Sequence, residues 1–253
     1  GVSCPRLWRS GQGHLGSHTS PVNFGFGVLG AVLLLTLPGA VVAVAGRLSW
    51  PGAIAVGPAL TYGVVALAIV PFGAVGIPWN AWTALLALAV VTGLVLGLRI
   101  LLTRFRDRAA EGRGIAPGPA LTVAAGVVFG AVAIGYAAWR GMPNWQSVPS
   151  TWDAVWHANT VRWILDTGQA SPTHMGELRN VETHDALYYP TTFHALAAVL
   201  AQLTGAASTT AYTLSSLAAA IWLFPASAAM LTWNLLRPTT TQWRTAGAAA
   251  TAA

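Results

Sequence analysis

The chain has 253 residues, of which 55% are hydrophobic and only 8% are charged, against roughly 25% charged residues in an ordinary soluble domain. This composition excludes an ordinary soluble protein. The net charge of +6 comes from arginines that flank apolar runs, so we interpret them as determinants of membrane topology and predict no nucleic-acid partner. The single cysteine cannot form an internal disulfide and says nothing about redox compartment.

Long apolar runs dominate the sequence after its first 20 residues. We interpret residues 1–20 as a disordered leader, because they lack the charged and then apolar pattern of a cleaved signal peptide. Beyond them, three stretches contain no Asp, Glu, Lys or Arg: 48–98, 114–139 and 186–236. A charge at the bilayer centre costs about 2.5–3.5 kcal/mol, so such stretches are typical of membrane passes. Runs suited to a ~30 Å hydrocarbon core lie at 24–45, 52–72, 80–101, 118–138, 189–204 and 207–236.

This pattern predicts an all-α fold, a polytopic transmembrane helical bundle of about six passes with a long external loop that contains an interfacial amphipathic helix. We divide the chain after the leader into an N-terminal three-pass segment, 21–117, and a second segment, 118–253. The second segment contains the loop 139–188. We interpret it as truncated at its C-terminus, because residues 246–253 look like the start of another apolar run.

The distribution of arginines predicts the orientation in the plasma membrane. The loop 103–117 carries four arginines against two acidic residues, which makes it cytoplasmic by the positive-inside rule and leaves the loop 139–188 external. Six full passes, however, would leave Arg237 and Arg244 outside. The fifth run has only ~16 residues, or about 24 Å of helix. We favour a short full pass for 189–204, with a re-entrant segment that returns Arg237 to the cytoplasm as the alternative.

Polar chemistry concentrates in the loop 139–188, which holds five of the seven acidic residues and three of the six histidines. Loops longer than ~15 residues are usually functional or disordered. The tryptophans and tyrosines of this loop provide packing groups, so its composition is not that of a disordered segment. We therefore expect functional residues here.

The first half of this loop has the pattern of an amphipathic helix over 151–168. Ser150 is a candidate N-cap, Asp153 stands in the capping-box position, and Gly168 fits the C-terminal stop. Asp153 and His157 are four residues apart and are therefore neighbours on the helix surface. A face suited to the membrane interface is formed by Trp152, Val155, Trp156 and Trp163.

The ionisable residues of this region each have a structural interpretation beside a functional one. Asp153 either caps the helix or acts as a catalytic carboxylate, and His157 is either a packed interface residue or part of a site. His184 and Asp185 either form a turn pair or line a site. For His194 the functional interpretation is favoured, because this residue lies at the mouth of an apolar run, where an ionisable group usually indicates a functional role.

A bound divalent metal ion is a further alternative. Its oxygen and nitrogen ligands would come from Asp153, His157, His184, Asp185 and His194. No compact motif such as H-E-x-x-H supports this alternative. The chain also lacks a P-loop, a G-x-G-x-x-G and a G-x-S-x-G motif, so neither soluble nucleotide chemistry nor serine hydrolysis is predicted. The sequence assigns no cofactor.

Three sequence elements stand out in and after the loop: Trp152–His157 (WDAVWH), Ile164–Gly168 (ILDTG) and Tyr188–His194 (YYPTTFH). Together with Leu37-Pro38-Gly39 in the first pass, they resemble a family of actinobacterial multi-pass membrane proteins of unknown function. That family is similar to GT-C glycosyltransferases, integral membrane enzymes that take sugars from polyprenyl-phosphate carriers.

The resemblance implies a glycosyltransferase that moves a sugar from a polyprenyl-phosphate donor to a cell-envelope acceptor at the outer face, with membrane lipid around its apolar passes. Asp153 matches the family's aspartate by position and would act as general base on an acceptor hydroxyl. His157 and His194 would orient the acceptor or stabilise the departing phosphate. The expected substrate-binding residues are Arg162, Arg179, His184, Asp185 and Tyr189.

The sequence also leaves two other functions open. A transporter or flippase of a lipid-linked or polar substrate would need polar residues at the membrane midplane and internal repeats, which we do not find in the sequence. A non-catalytic membrane scaffold would use the external loop to dock a partner.

Overall fold

The computed structural model describes residues 21–103, 117–142, 151–180, 182–183, 185–236 and 239–253, and these residues form helices and connecting segments without a β-strand. A 3₁₀ turn at Pro172–His174 and a π-helical segment at Ala219–Leu223 accompany the α-helices. The α-helices are α1 (Pro21–Ala45), α2 (Trp50–Ala74), α3 (Ala81–Thr103), α4 (Pro117–Gly141), α5 (Trp152–Thr167), α6 (Gly176–Arg179), α7 (Thr192–Thr204), α8 (Ser208–Ala218), α9 (Phe224–Leu235) and α10 (Thr241–Ala252).

Five helical stretches of the described chain are long and apolar enough to cross a membrane. They are Gly25–Ala45, Trp50–Ala74, Ala81–Thr103, Gly118–Gly141 and Ser208–Leu235, the last comprising α8, the π-helical segment and α9. Backbone groups in hydrocarbon must bond within their own segment, so apolar runs of this length fold as helices. The predicted polytopic helical bundle is confirmed, with five of the six predicted passes present as long helices.

The first two helices pack with their backbones in close contact. A Cβ added to Gly39 of α1 would collide with the carbonyl oxygen of Gly57 of α2, so the absence of a side chain is what allows this approach. Glycine permits such close crossings in membrane helix pairs. The amide of Gly39, which follows Pro38, donates to Oγ1 of Thr61 at 2.8 Å. A polar side chain of the neighbouring helix thus pairs a backbone group next to an intramembrane proline.

One end of the bundle, which we call the arginine end, holds the turn between α1 and α2 with Arg47. Nη1 of Arg99, near the end of α3, donates to the carbonyl of Ala45 at 3.1 Å. The ends of α1 and α3 therefore lie together, and both helices run in the same direction.

The last long helix also ends at the arginine end. Trp233 of α9 lines the same apolar cavity as Pro51 at the start of α2 and Ala120 at the start of α4. Nε of Arg244, in the first turn of α10, donates to the carbonyl of Trp233 at 3.1 Å. Arg47, Arg99 and Arg244 therefore lie at one end of the bundle.

The opposite end, which we call the loop end, carries α5. The side chain of Thr151 caps α5 by accepting from the amide of Ala154 at 3.3 Å, so the predicted cap at Ser150, outside the described residues, is wrong. Asp153 is consequently the second helical residue and does not occupy the capping-box position. Gly168 ends the helix with a left-handed φ of 71°, as predicted, and its carbonyl accepts from the amide of Trp79 at 2.7 Å.

The four residues predicted to form one aromatic face of α5 are divided by the packing. Trp152 and Val155 are exposed, whereas Trp156 is half-buried and Trp163 packs against the main hydrophobic core. The buried face of α5 is formed instead by smaller side chains, because α5 lies directly on α7 and α8. These side chains are Ala154, Ala158, Thr160, Val161 and Ile164.

Helix α7 differs from the predicted short pass over 189–204. It has 13 residues, about 20 Å of helix, against ~30 Å of hydrocarbon. Near its start, the carbonyl of Ala195 accepts from Nε1 of Trp79 at 2.9 Å. In its last turn, Oε1 of Gln202 accepts from the amide of Ala81 at 2.7 Å. Both halves of α7 thus lie against the turn between α2 and α3, at the loop end, which matches the re-entrant alternative.

The fifth long helix joins two groups of helices. Its first half, α8, packs on α1, α5 and α7, whereas α9 packs on α4 and α10. The π-helical segment Ala219–Leu223 separates these halves and directly precedes Pro225. Contacts also cross the predicted segment boundary at residue 117, because α1 packs on both α7 and α8.

Candidate functional site

A pocket of about 470 Å³ lies at the loop end, where α5, α7 and α8 meet. We call it the site pocket. Its lining comes from α5, from the two residues Tyr189 and Pro190 before α7, from α7 and from α8. The lining residues are Asp153, His157, Tyr189, Pro190, Phe193, His194, Tyr212 and Ser216. All three residues predicted to be catalytic are therefore in one place.

Three ionisable side chains form a continuous chain along this pocket. Oδ2 of Asp153 lies 3.3 Å from Nε2 of His157, and Nδ1 of His157 lies 2.7 Å from Nε2 of His194. Exposure falls steadily along the chain: the Asp153 side chain is 80% exposed and that of His157 is 20% exposed, whereas His194 is 2% exposed. The carboxylate therefore faces the solvent side and the second imidazole lies in the protein interior.

The contact between the two imidazoles needs a proton on one of the two facing nitrogens, Nδ1 of His157 or Nε2 of His194. Because a carboxylate oxygen can only accept, the contact between Oδ2 of Asp153 and Nε2 of His157 places a proton on this nitrogen. Burial lowers the pKa of His194 to about 4, aided by the positive charge of protonated His157 and opposed by the Thr191 carbonyl and Asp153. His194 is therefore neutral at pH 7.

Aromatic side chains hold His157 in position. Its imidazole stacks on the ring of Tyr212, with centroids 5.8 Å apart and planes 16° apart. Phe193 stands edge-on to Tyr212 at 5.9 Å, and Trp156 stands edge-on to Tyr189 at 5.6 Å. Ring contacts of this geometry favour one orientation of the imidazole and so keep both of its nitrogens aligned with their partners.

The segment before α7 is fixed by the loop that follows α5. The amide of Tyr189 donates to the carbonyl of Pro172 at 3.0 Å, and the buried Thr191 hydroxyl donates to the carbonyl of Ala170 at 2.5 Å. These bonds determine where α7 starts. They consequently position His194, which lies in the first turn of α7 and faces α5.

The predicted substrate-binding residues are dispersed. Tyr189 lines the site pocket. Arg179 is not part of the lining; its guanidinium lies 5.1 Å from the ring centroid of Trp156, which in turn contacts Tyr189. Nε of Arg162 donates to Oδ2 of Asp166 at 2.7 Å on the exposed face of α5, away from the pocket lining.

The remaining two predicted binding residues belong to the segment after α6. The backbone carbonyl of Asp185 accepts from Nδ2 of Asn180 at 2.8 Å, and the Asp185 side chain is not part of the pocket lining. His184 lies outside the described residues. Within the described ranges, no group of three or more His, Cys, Asp or Glu side chains is arranged to hold a metal ion.

Sequence reasoning did not assign four lining residues to the site. Pro190 and Phe193 were named only within the element Tyr188–His194, and Tyr212 and Ser216 were not singled out. Both lie on α8, in an apolar run interpreted only as a membrane pass. The available signal was their spacing of four residues, which places two hydroxyl-bearing side chains on one helix face.

The fold and the pocket define a polytopic α-helical membrane protein whose carboxylate and histidine chemistry is gathered at one end of the bundle. The chain belongs to a family of unknown function, DUF6541, whose family model matches residues 32–253. The match includes every residue that lines the site pocket. No curated protein matches the chain, and no solved structure matches it either.

Proposed function

We propose that the protein is an integral membrane glycosyltransferase that transfers a sugar from a polyprenyl-phosphate donor to a hydroxyl-bearing acceptor of the cell envelope. The observation that supports it most is the chain from Asp153 through His157 to His194. It offers an exposed carboxylate oriented by a fixed imidazole, in a pocket bordered by membrane helices. This arrangement suits the removal of a proton from a hydroxyl group at the membrane surface.

The reaction would need one proton transfer and one substitution at carbon. The acceptor oxygen forms a bond to the anomeric carbon while the bond from that carbon to the phosphate oxygen breaks. The acceptor proton goes to Asp153, and the polyprenyl phosphate leaves with the electron pair of the broken bond. The Nε2 proton of His157 keeps the carboxylate oriented, and general-base catalysis of this kind contributes roughly 10²–10⁴-fold in rate.

Arg179 is the cation best placed for the donor phosphate. It lies over the ring of Trp156, which contacts the pocket residue Tyr189, and it forms no ion pair with the acidic residues that the structure describes. Arg162, by contrast, is engaged by Asp166. A guanidinium free of these carboxylates would favour the release of an anionic leaving group.

The orientation that this function requires agrees with the distribution of arginines. The arginine end contains Arg47, Arg99 and Arg244, and the arginine-rich loop 103–117 follows α3. We therefore assign this end to the cytoplasm and the loop end to the outer face. Six full passes would have left Arg244 outside. Because α7 does not cross the bundle, this assignment puts Arg244 at the cytoplasmic end.

The proposal is tested by Asp153→Asn in the purified protein reconstituted in liposomes with labelled polyprenyl-phosphate sugars. The amide cannot take up the acceptor proton, so transfer should fall by roughly 10²–10⁴-fold while folding is retained, because Thr151 caps the helix. Asp166→Asn is the matched control, since Asp166 is an exposed carboxylate of the same helix outside the pocket. Normal transfer by the Asp153 variant, or no transfer by the wild type with any donor, would refute the proposal.

A further inference from the structure

Two residues interrupt an otherwise buried stretch of α8. Between residues 211 and 218, every side chain is buried except those of Tyr212 and Ser216, which are partly exposed. They are four residues apart and therefore lie on one face of the helix. Both line the site pocket. The helix thus presents only these two side chains of the stretch to the pocket, and both end in hydroxyl groups.

The Tyr212 ring is held rigidly in this wall. It stacks on His157 and stands edge-on to Phe193. Its hydroxyl lies near the side chains of Ser216 and Asp153. Two hydroxyls bring two donors, and a bond between them uses only one. The pair therefore retains a donor and acceptor lone pairs for a ligand beside Asp153.

We propose that Tyr212 and Ser216 form the acceptor-binding wall of the site pocket and that the acceptor is a neutral polyol, held by hydrogen bonds to these hydroxyls with one of its own hydroxyls at Asp153. This inference rests on the proposed glycosyl transfer and adds the substrate class and the residues that select it.

The charges around the pocket favour a neutral ligand over a charged one. The Asp153 side chain is acidic and largely exposed, so a carboxylate there would repel an anion at the point where the acceptor must react. Arg179 already occupies the face of Trp156, so a cation that approached this ring would meet a positive charge. A polyol meets neither repulsion, and its C–H faces pack well on the rings of Tyr189 and Phe193.

The acceptor-binding wall can be tested by measuring the kinetics of variants that lack one hydroxyl oxygen. Tyr212→Phe and Ser216→Ala remove one hydroxyl each, so the KM for the acceptor should rise about 3- to 10-fold, the value of one hydrogen bond. Donor KM and kcat should stay within about twofold, because a binding contact made equally in the ground and transition states changes KM alone. Matched controls are Tyr136→Phe on α4 and Ser215→Ala, whose side chains lie outside the pocket lining. A fall in kcat at unchanged acceptor KM would overturn the proposal.

A binding experiment separates this inference from the transfer reaction itself. Diethyl pyrocarbonate modifies histidines, and mass spectrometry can follow the modification of His157 in the purified protein. Glucose, galactose, mannose and arabinose serve as neutral probes, with choline and inorganic phosphate as charged ones. At least one sugar should slow the modification in the wild type and in Tyr136→Phe but not in Tyr212→Phe.

The outcomes of this experiment are distinct. Protection by a sugar that depends on Tyr212 supports the wall even if no transfer is detected, in which case only the glycosyltransferase proposal fails. Protection by choline or phosphate in place of the sugars overturns the wall, and so does the absence of protection by any sugar.

Discussion

Trp79 connects the turn between α2 and α3 to the helix that carries His194, and its replacement tests that connection. Its ring is 2% exposed, and its Nε1 donates to the carbonyl of Ala195. In Trp79→Phe the donor is lost and the smaller ring leaves space. Trp82→Phe is the matched control, because the same change is made three residues away in a side chain that is 80% exposed.

The expected decrease in the free energy of unfolding of Trp79→Phe has two contributions. The Ala195 carbonyl keeps its intrahelical partner, so only the net value of one hydrogen bond is lost, about 0.5–1.5 kcal/mol. The space left by the missing part of the indole adds about 1–2 kcal/mol. The free energy of unfolding should therefore fall by about 1.5–3.5 kcal/mol. For a chain of this size that corresponds to roughly 3–14 °C in Tm.

The assay is the temperature at which the purified protein in detergent loses its monodisperse peak in size-exclusion chromatography. This readout does not depend on tryptophan fluorescence, which the substitution itself alters. Hydrogen exchange should also accelerate at the amides of α7 in Trp79→Phe and not in Trp82→Phe. Equal Tm values for the two variants would refute the role assigned to Trp79 in holding α7.

Three further predictions concern topology, helix packing and pH. Ala207→Cys, in a background without the native cysteine, should react with an impermeant maleimide on intact cells and Gln242→Cys only after permeabilisation; the reverse pattern, with Gln242→Cys reacting on intact cells and Ala207→Cys only after permeabilisation, would show that α7 crosses the membrane. Gly39→Ala should lower Tm because its Cβ meets the backbone of α2, whereas Gly30→Ala, which points into open space, should not; equal effects would contradict the close crossing. The low pKa of His194, about 4, leaves stability unaffected above pH 6.5 but lowers it by up to about 3 kcal/mol as pH falls towards 4, because only the unfolded chain takes up the proton. His194→Gln should remove this part of the pH dependence in thermal unfolding, and an unchanged profile would contradict the assigned pKa.

The long helices were predictable because the hydrocarbon core of a membrane selects runs of about 20 apolar residues without charges. A run such as 48–98 without charges has no alternative to helical passes in hydrocarbon. Local spacing also predicted the neighbours Asp153 and His157 and the stop at Gly168, since both depend only on helix geometry. The same spacing rule applied to Arg162 and Asp166 predicts their ion pair on the exposed face of α5.

The course of α7 could not be read from its sequence, because an apolar run has the same composition whether lipid or protein surrounds it. Its position depends on Trp79 and Gln202, side chains that meet partners more than 100 residues away. The contact between His157 and His194 is also tertiary, and no local pattern contains it. The N-cap was misplaced by one residue because Ser150 and Thr151 are adjacent hydroxyl residues and both residue types cap helices.

The wall formed by Tyr212 and Ser216 was missed for a different reason. Hydroxyl side chains are ordinary in membrane helices, where they bond to the backbone or to neighbouring helices. Their presence in the run 207–236, and their spacing of four residues, therefore did not distinguish them from the other hydroxyl residues of the run. Only the burial of the surrounding residues of α8 distinguishes these two positions.

The π-helical segment at Ala219–Leu223 has a consequence for the tolerance of this helix to changes in length. A π-turn accommodates one residue more than an α-turn, and one residue corresponds to a rotation of about 100° around the helix axis. Deleting one residue here would restore an uninterrupted α-helix with α9 in nearly its present orientation relative to α8, because the wider turn already absorbs the additional residue. A further inserted residue that the turn does not absorb would rotate the face of α9 that meets α4 and α10 by that angle, while Tyr212 and Ser216 stayed at the pocket. Single-residue deletions in this segment should therefore be tolerated better than single-residue insertions.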